Sequence, residues 1–399
     1  MPVIHNMVRK GSGDMKITIS EEDLLSRISV LFALPISVLI ESNPHITSNQ
    51  LSPGDKISIP GYWTRIERMP LEEFLHPIDR ERIRFVNQNQ GILSGRMVRV
   101  PVKIKHRIVD TTEPYSSAKY MNDIDILQTI FPFMKVTAIG YSSLGKEIKE
   151  MRIGCGKKKV HMNASIHANE WITSLVLMEW LNEYLVALTN GMKVGHCSAL
   201  ELFLECEVSI VGMANPDGVD LVIDGPPEGL ESICLELNEG KADFHGWKAD
   251  IEGIDLNRQF PANWDTMKER YQAGPGPRDY PGERPLTQKE AIALAELVRR
   301  EDFDRVIALH TQGHEFYWGY NGHEPALSAI MAREFAVKTS YASIQYVDSH
   351  AGFKDWFIQE YKRPGFTIEL GKGVNPLPLS QFKAIYEETK HLLNAAMYL

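Results

Sequence analysis

The chain has 399 residues, 43% of them hydrophobic and 24% charged, which is long enough for two or three domains that each bury a core. A formal charge of -9 and a pI near 5.8 leave no electrostatic footprint for nucleic acid, which is excluded as an expected partner. Cys155, Cys197, Cys206 and Cys234 form neither a Cys-x-x-Cys pair nor a dense framework, so zinc-finger and disulfide-scaffold classes fall away and reduced thiols are expected.

The first segment, Met1-Pro-Val-Ile-His-Asn-Met-Val-Arg-Lys-Gly11, lacks the uninterrupted apolar stretch of a secretory signal, so the expected compartment is the cytoplasm. The longest apolar stretch, residues 28–40, is interrupted by Pro35 and falls short of the ~20 residues that a spanning helix needs. No membrane segment is expected.

Residues 15–103 carry a faint internal duplication. Leu51-Ser-Pro-Gly-Asp-Lys-Ile-Ser-Ile-Pro60 is echoed by Ile92-Leu-Ser-Gly-Arg-Met-Val-Arg-Val-Pro101, with the closing prolines 41 residues apart. Upstream, Leu39-Ile-Glu-Ser-Asn43 is echoed by Ile83-Arg-Phe-Val-Asn87, each a helical segment ending at Asn, a residue that tolerates the left-handed cap. Each unit reads as a helix, an Asn turn, a Gly turn and a short strand ending in Pro, and a unit this small has a marginal core. On these landmarks the segment resembles tandem LysM modules, with Ser42-Asn43-Pro44 and Leu51 to Pro60 matching over 15–61 and a degenerate copy over 62–103. The usual Gly-Asp-Thr-Leu opening is replaced by Glu22-Asp23-Leu24-Leu25. The resemblance implies two small α+β modules that bind glycans containing N-acetylglucosamine, such as peptidoglycan; the alternative is a scaffolding role alone.

Further along, Val160-His-Met-Asn-Ala-Ser-Ile166 reads as a strand, and residues 171–188 read as a largely buried helix that stops at Thr189-Asn190-Gly191. His167-Ala-Asn-Glu170 sits at the turn between them. Arg305-Val-Ile-Ala-Leu309 is an apolar run ending at His310, and Gly365-Phe-Thr-Ile368 ends in the same way at Glu369. All three pieces lie where strands finish, and in open α/β sheets residues distant in sequence converge outside those ends. Taken singly, His310 reads as a hydrogen-bonded core histidine, Glu170 as an acid at the positive end of a helix, and Glu369 as half of an ion pair. Taken together, His167, Glu170 and His310 are the three donors that a catalytic zinc site supplies while leaving the fourth position to water. Glu369 is then the candidate base for that water's proton.

From about Val109 onward, ordered segments carry a resemblance to a known family. Ile139-Gly-Tyr-Ser142-Ser-Leu-Gly145-Lys-Glu-Ile148 is followed by His167-Ala-Asn-Glu170-Trp-Ile-Thr and Asn215-Pro-Asp-Gly218. Then come Gly253-Ile-Asp255-Leu-Asn257-Arg258-Gln-Phe-Pro261, His310-Thr-Gln and Phe366-Thr-Ile-Glu369-Leu. In this order they resemble the zinc metallocarboxypeptidases, the carboxypeptidase A-like family. The resemblance implies an α/β domain over 109–399 with a mixed, eight-stranded sheet flanked by helices, and one Zn2+ per chain. It implies His167, Glu170 and His310 as ligands, Glu369 as general base and Asp255 as the residue that fixes the His167 tautomer. Arg258, with Asn257, would grip a substrate carboxylate through its planar fork.

Departures from the family pattern bear on specificity. Lys248, in Trp247-Lys248-Ala249, stands where the family has an oxyanion-stabilising Arg, and keeps the charge with less directional hydrogen bonding. Asn169 holds a position often taken by Arg. For the family's mobile Tyr, both Tyr346 and His350 are candidates. Lys354, in Gly352-Phe-Lys354-Asp-Trp356, falls where the family selects the side chain just beyond the scissile bond. It is either a solvated lysine or a reader of an acidic group, which suits diaminopimelic acid. The Gly/Pro-rich run over residues 273–285 borders the cleft or is a plain surface loop.

Glycan-binding-like modules joined to such a peptidase imply a bacterial cell-wall peptide hydrolase similar to the γ-D-glutamyl-L-diamino acid endopeptidases. Its expected partners are peptidoglycan peptides and glycan, met as recycled muropeptides inside the cell or on the wall during sporulation or lysis. The alternatives are an ordinary zinc carboxypeptidase and a non-catalytic glycan-binding protein. The retained Glu369 argues against the second. No Gly-x-Ser-x-Gly elbow supports a serine hydrolase.

Overall fold

The computed structural model describes residues 14–19, 23–46, 50–68, 76–89, 97–271 and 273–399. Residues 20–22 and 90–96, which hold part of the module opening and most of the second Gly turn, lie outside them. The backbone divides into two units. One comprises Met1–Val109, Asn122–Lys135 and Leu181–Glu201; the other comprises Asp110–Met121, Val136–Trp180 and Leu202–Leu399. Two segments beyond Val109 group with the first unit.

In the first unit, strands β1 (Asp14–Thr18), β2 (Lys56–Arg68) and β3 (Met97–Lys103) form an antiparallel sheet in that order. The 13 residues of β2 serve both neighbours: Ile57 pairs with Ile17 of β1, and the stretch from Tyr62 to Arg68 pairs with β3. Helices α1 (Leu25–Phe32), α2 (Ile36–Glu41) and α3 (Pro77–Asn89) cover it. Helix α1 ends because Ala33 turns left-handed, with φ 49°, and Pro35 then leads into α2. Apolar residues of β1, α1 and α2 form one core with Phe85 and Val86 of α3. Phe32 meets Tyr62 and Phe85 edge-on, with ring centroids 5.2 and 6.0 Å away. Among the described residues of segment 62–103, Tyr62, Phe85 and Val86 join this one core, and β3 pairs along the second half of β2.

The duplication survives in atomic detail at its two asparagines. Asn43 Nδ2 donates to Leu39 O (2.8 Å) and Ser58 O (3.0 Å), and its Oδ1 accepts from Ser58 N (2.7 Å). Asn87 Nδ2 donates to Ile83 O (2.7 Å) and Arg99 O (2.8 Å), and its Oδ1 accepts from Arg99 N (2.9 Å). Each amide closes a helix carbonyl four residues back and holds a strand two residues before its closing Pro. Only Asn, with a donor and an acceptor on one short stem, does all three.

The second unit is built on eight strands: β4 (Lys135–Tyr141), β5 (Glu147–Ile153), β6 (Lys158–Asn163), β7 (Cys206–Val211), β8 (Arg305–Thr311), β9 (Glu315–Tyr317), β10 (Ala342–Ile344) and β11 (Gly365–Leu370). Their order is β10-β9-β11-β8-β6-β7-β5-β4. The central pairs β7/β6, β6/β8 and β8/β11 are parallel, whereas β7/β5 and β9/β11 are antiparallel. This is the mixed, eight-stranded α/β sheet that the resemblance implied. Every residue of β8 is buried, as a parallel strand covered by helices requires. Val306 and Ala308 share a core cluster with α5 (Lys289–Glu301) and α6 (Phe353–Tyr361). Helix α7 (Phe382–Tyr398) lies along β6 and β7. Its Asn394 accepts from Trp180 Nε1 at 2.8 Å. Among the described residues, no helix is long and apolar enough to cross a membrane.

Candidate metal centre and active site

The parallel core of the sheet assembles the site. In the β8/β11 register His310 lies opposite Glu369, each one residue before its strand ends. Strand β6 runs parallel on the other side of β8, Asn163 pairing with Ala308, so the chain leaves β6 at the same edge and reaches His167 four residues later. Ser165 makes that exit with φ 47°, a backbone state uncommon outside Gly. Its N–H donates to Thr173 Oγ1 (2.9 Å), and its hydroxyl meets Ser174 Oγ (2.6 Å), which ties the turn to the following helix, α4 (Ile172–Asn190). Glu170 then falls on a single 3-10 turn, Ala168–Glu170.

His167 Nδ1 lies 2.9 Å from Glu170 Oε1, and His310 Nδ1 lies 3.1 Å from both His167 Nδ1 and Glu170 Oε2. All three side chains are buried. Two imidazole nitrogens at that separation share at most one hydrogen between them, so the arrangement is poorly satisfied by protons alone. Three donors held about 2.0–2.1 Å from one tetrahedral ion would lie roughly 3.3 Å apart, close to the spacing seen. The residues fit a zinc ion, and among the described residues this is the one His/Cys/Asp/Glu group with such convergence.

The surrounding charges are ordered by the same logic. His167 Nε2 faces Asp255 Oδ1 at 3.2 Å, which leaves Nδ1 as the ligating nitrogen. Burial would raise the Asp255 carboxyl, but Lys248 and His167 hold it well below the usual range. Burial would likewise raise Glu170, and the two histidines bring it down to about 2. Burial lowers His310, and Glu170 and Glu369 more than offset this. Glu369 is lifted to about 8 by burial and by Glu170, against the pull of His310 and Lys248. A dication at the three donors would pull it back down.

Lys248 reaches this network: its Nζ is 3.1 Å from Asp255 Oδ2 and 3.6 Å from Asp279 Oδ1. Asp279 also lies 3.7 Å from Arg258 Nη2, so one carboxylate bridges the two cations. Sequence reasoning missed Asp279, which sits inside the Gly/Pro-rich run with φ 67°. Backbone bonds hold that run against the site: Pro277 O accepts from Lys248 N (2.8 Å) and Tyr280 O from Asp255 N (2.8 Å). Arg258 lies over the Tyr271 ring at 4.9 Å and donates to Ser349 Oγ (3.2 Å) and His350 O (3.4 Å). Asn257 Oδ1 accepts from Phe353 N (3.0 Å), which leaves its Nδ2 for a ligand. Asn169 Nδ2 reaches Gly246 O at 3.5 Å. Tyr346 is 53% exposed and donates to Glu324, whereas His350 adjoins the carboxylate clamp through its carbonyl.

Lys354 is not the solvated lysine of the first expectation. It is buried, its Nζ donates to Gly319 O (3.0 Å) and pairs with Asp355, and it lies 5.7 Å from the Tyr320 ring centroid. An ammonium inside the protein needs such partners, and they engage it internally.

Comparisons with known proteins agree with this geometry. A family model described as zinc carboxypeptidase matches residues 120–392, and one described as LysM domain matches residues 17–60. Over 396 residues the chain is 44% identical to gamma-D-glutamyl-L-diamino acid endopeptidase 1 of Lysinibacillus sphaericus, covering 96% of this chain and all (100%) of that one. Carboxypeptidase B of Homo sapiens is 24% identical over 276 residues, 63% of this chain and 62% of that one. Among solved structures, bovine thrombin-activatable fibrinolysis inhibitor bound to tick carboxypeptidase inhibitor superimposes with a TM-score of 0.57 at 17% identity, covering 72% of this chain and 97% of that one.

Proposed function

The chain belongs to the zinc carboxypeptidase family and carries a LysM domain, and from that premise we propose that it hydrolyses the amide between γ-D-glutamate and a diamino acid, meso-diaminopimelate, in peptidoglycan stem peptides. The observation that carries this reading is the 44% identity, over nearly the whole chain, to an endopeptidase named for that bond.

His167, Glu170 and His310 would hold the zinc ion, which supplies Lewis acidity and a water of lowered pKa. Asp255 keeps the hydrogen of His167 on Nε2, so Nδ1 is free to ligate. Glu369 takes the proton of the attacking water on its carboxylate and returns it to the leaving amine. Lys248 Nζ stands beside the reacting carbonyl and offsets the charge that grows on its oxygen. Arg258 and Asn257 Nδ2 hold the α-carboxylate of the diamino acid and so fix which amide lies at the metal edge. The LysM domain would keep the enzyme on glycan.

To test this, the purified protein is given L-Ala-γ-D-Glu-meso-diaminopimelate and its α-linked isomer. Release of diaminopimelate from the γ-linked peptide at a rate at least about 100-fold above the isomer supports the reading. Equal rates on both, or cleavage only of ordinary C-terminal peptides, would place the chain with general carboxypeptidases. A second reading as a general carboxypeptidase is favoured by one observation, the Arg258 fork that suits any C-terminal carboxylate.

A further inference from the structure

The second unit holds a hollow of about 360 Å³, walled by residues 319–322 on one side and by Tyr346, Val347 and His350 on the other, and the His350 carbonyl accepts from Arg258. The first wall is a tight turn. Asn321 and Gly322 are both left-handed, φ 51° and 73°, and Tyr320 O accepts from His323 N at 3.0 Å, which is the Asn-Gly signature of a type I′ turn. The walls are joined where Gly319 N donates to Gln345 O at 2.8 Å. A Cβ on Gly319 would meet that oxygen at 2.6 Å, so the approach requires glycine. Lys354 braces the first wall from behind through Gly319 O. The hollow is therefore preformed.

Its polar groups have a definite chemistry. Tyr320 OH lies 3.0 Å from His350 Nδ1, and burial together with Asp355 keeps that phenol protonated. Nε2 is the imidazole nitrogen left for a ligand. At the other end stands Tyr346, held by Glu324, which accepts from Tyr346 OH (2.5 Å) and Gln345 Nε2 (2.9 Å) on one oxygen and from Tyr320 N (2.9 Å) on the other. These bonds offset its burial and leave it anionic. Tyr346 OH donates to Glu324 and accepts from Gln345 Nε2 (3.1 Å), which leaves one lone pair for a ligand. Val347 and Tyr346 are 41% and 53% exposed and offer apolar surface between the two ends. His350 also caps the carboxylate clamp, its carbonyl accepting from Arg258 Nη1 at 3.4 Å.

We propose that this hollow receives the zwitterionic end of a diamino acid leaving group, with its distal carboxylate on the His350 imidazole and its distal ammonium on the Tyr346 hydroxyl, whose hydrogen bond to the Glu324 carboxylate sets a negative charge behind it. The inference rests on the reading of a diamino acid held at Arg258. It moves the choice between diaminopimelate and lysine from Lys354, which is engaged inside the wall, to His350. A lysine leaving group brings the distal ammonium alone, so it uses only the Tyr346 end.

Three peptides separate the two ends: L-Ala-γ-D-Glu followed by meso-diaminopimelate, by L-lysine, or by L-2-aminopimelate, which has the distal carboxylate without the ammonium. His350→Leu is expected to lower kcat/KM about 30-fold on the two carboxylate-bearing peptides and less than about 3-fold on the lysine peptide. Glu324→Gln is expected to lower it about 5-fold on the diaminopimelate and lysine peptides and to spare the aminopimelate peptide. His350→Gln keeps a donor and is expected to restore most of the loss. Equal losses on all three peptides in His350→Leu, or none, overturn the proposal. If wild-type protein cleaves no peptide, the proposed function fails, and calorimetry with free meso-diaminopimelate and L-lysine still judges the hollow. Diaminopimelate binding at least about 10-fold tighter than lysine, lost in His350→Leu, upholds it; equal binding, or none, overturns it.

Discussion

Asn43 and the half-buried Asn87 in the first unit and the buried His167, Glu170, His310 group in the second are all polar side chains engaged inside the protein, yet they are used in opposite ways. Each asparagine finds a backbone donor and acceptor of matching sense, so its burial holds a helix to a strand. The metal-facing group brings like atoms together, two imidazole nitrogens 3.1 Å apart over one carboxylate. That arrangement suits one shared cation. Satisfied burial serves the fold, and convergent, unsatisfied burial marks the place where something from outside is bound. The contrast is tested by substitutions that should separate stability from activity.

The largest effect is expected at the convergent group. His310→Ala should cost at least about 100-fold in zinc affinity and abolish peptidase activity, while the thermal unfolding of the zinc-free protein stays unchanged or rises. Zinc titration beside a melting curve reads both. A clear drop in zinc-free stability would mean that these residues hold the fold as the asparagines do.

Glu290 is an intermediate case, buried with Oε1 accepting from Ser143 N at 2.9 Å and Oε2 without a hydrogen-bond partner among the described residues. Burial lifts its carboxyl from 4.5 to about 7. Folded protein then keeps a proton that the unfolded chain has released, so this group's contribution to stability falls as pH rises from 4.5 to about 7 and stays lost above it. Glu290→Gln keeps the acceptor and removes the titration. It should stabilise the protein by on the order of 1–3 kcal/mol at pH 8 and much less at pH 4.5. Denaturant unfolding at the two pH values measures this, and a pH-independent difference would contradict it.

Smaller effects are expected at the asparagines. Asn43→Ala leaves Ser58 N and O without their side-chain partner at a fully buried site, and should cost about 2 kcal/mol of first-unit stability. Asn87→Ala, at a half-buried site, should cost about 1 kcal/mol. Peptidase activity on small peptides should not move in either variant. Equal costs would mean that the second copy matters to the shared core as much as the first.

Legibility in the sequence followed the same division. The three donors and Glu369 could be read because each ends or follows an apolar run of strand length, and parallel strands bring such ends to one edge. The asparagine and proline landmarks of the duplication were legible because the latch needs one residue type at one offset from a strand. Whether the second copy would close on its own was not, since that depends on where Phe85 and Val86 pack. Asp279 escaped because its approach to Lys248 and Arg258 is set by backbone bonds across a Gly/Pro-rich run with no motif. The burial of Lys354 was not legible because it depends on Asp355 and Gly319 O, partners that spacing does not reveal together.

The most direct test of the central claim is the rate of diaminopimelate release from L-Ala-γ-D-Glu-meso-diaminopimelate by wild-type protein and Glu369→Gln, each with zinc content measured and with a chelator arm. The account expects chelator-sensitive release by the wild type and a rate lower by about 1,000-fold in the variant at unchanged zinc content and melting temperature. Release that survives the chelator, or a variant that works as fast as the wild type, would contradict it.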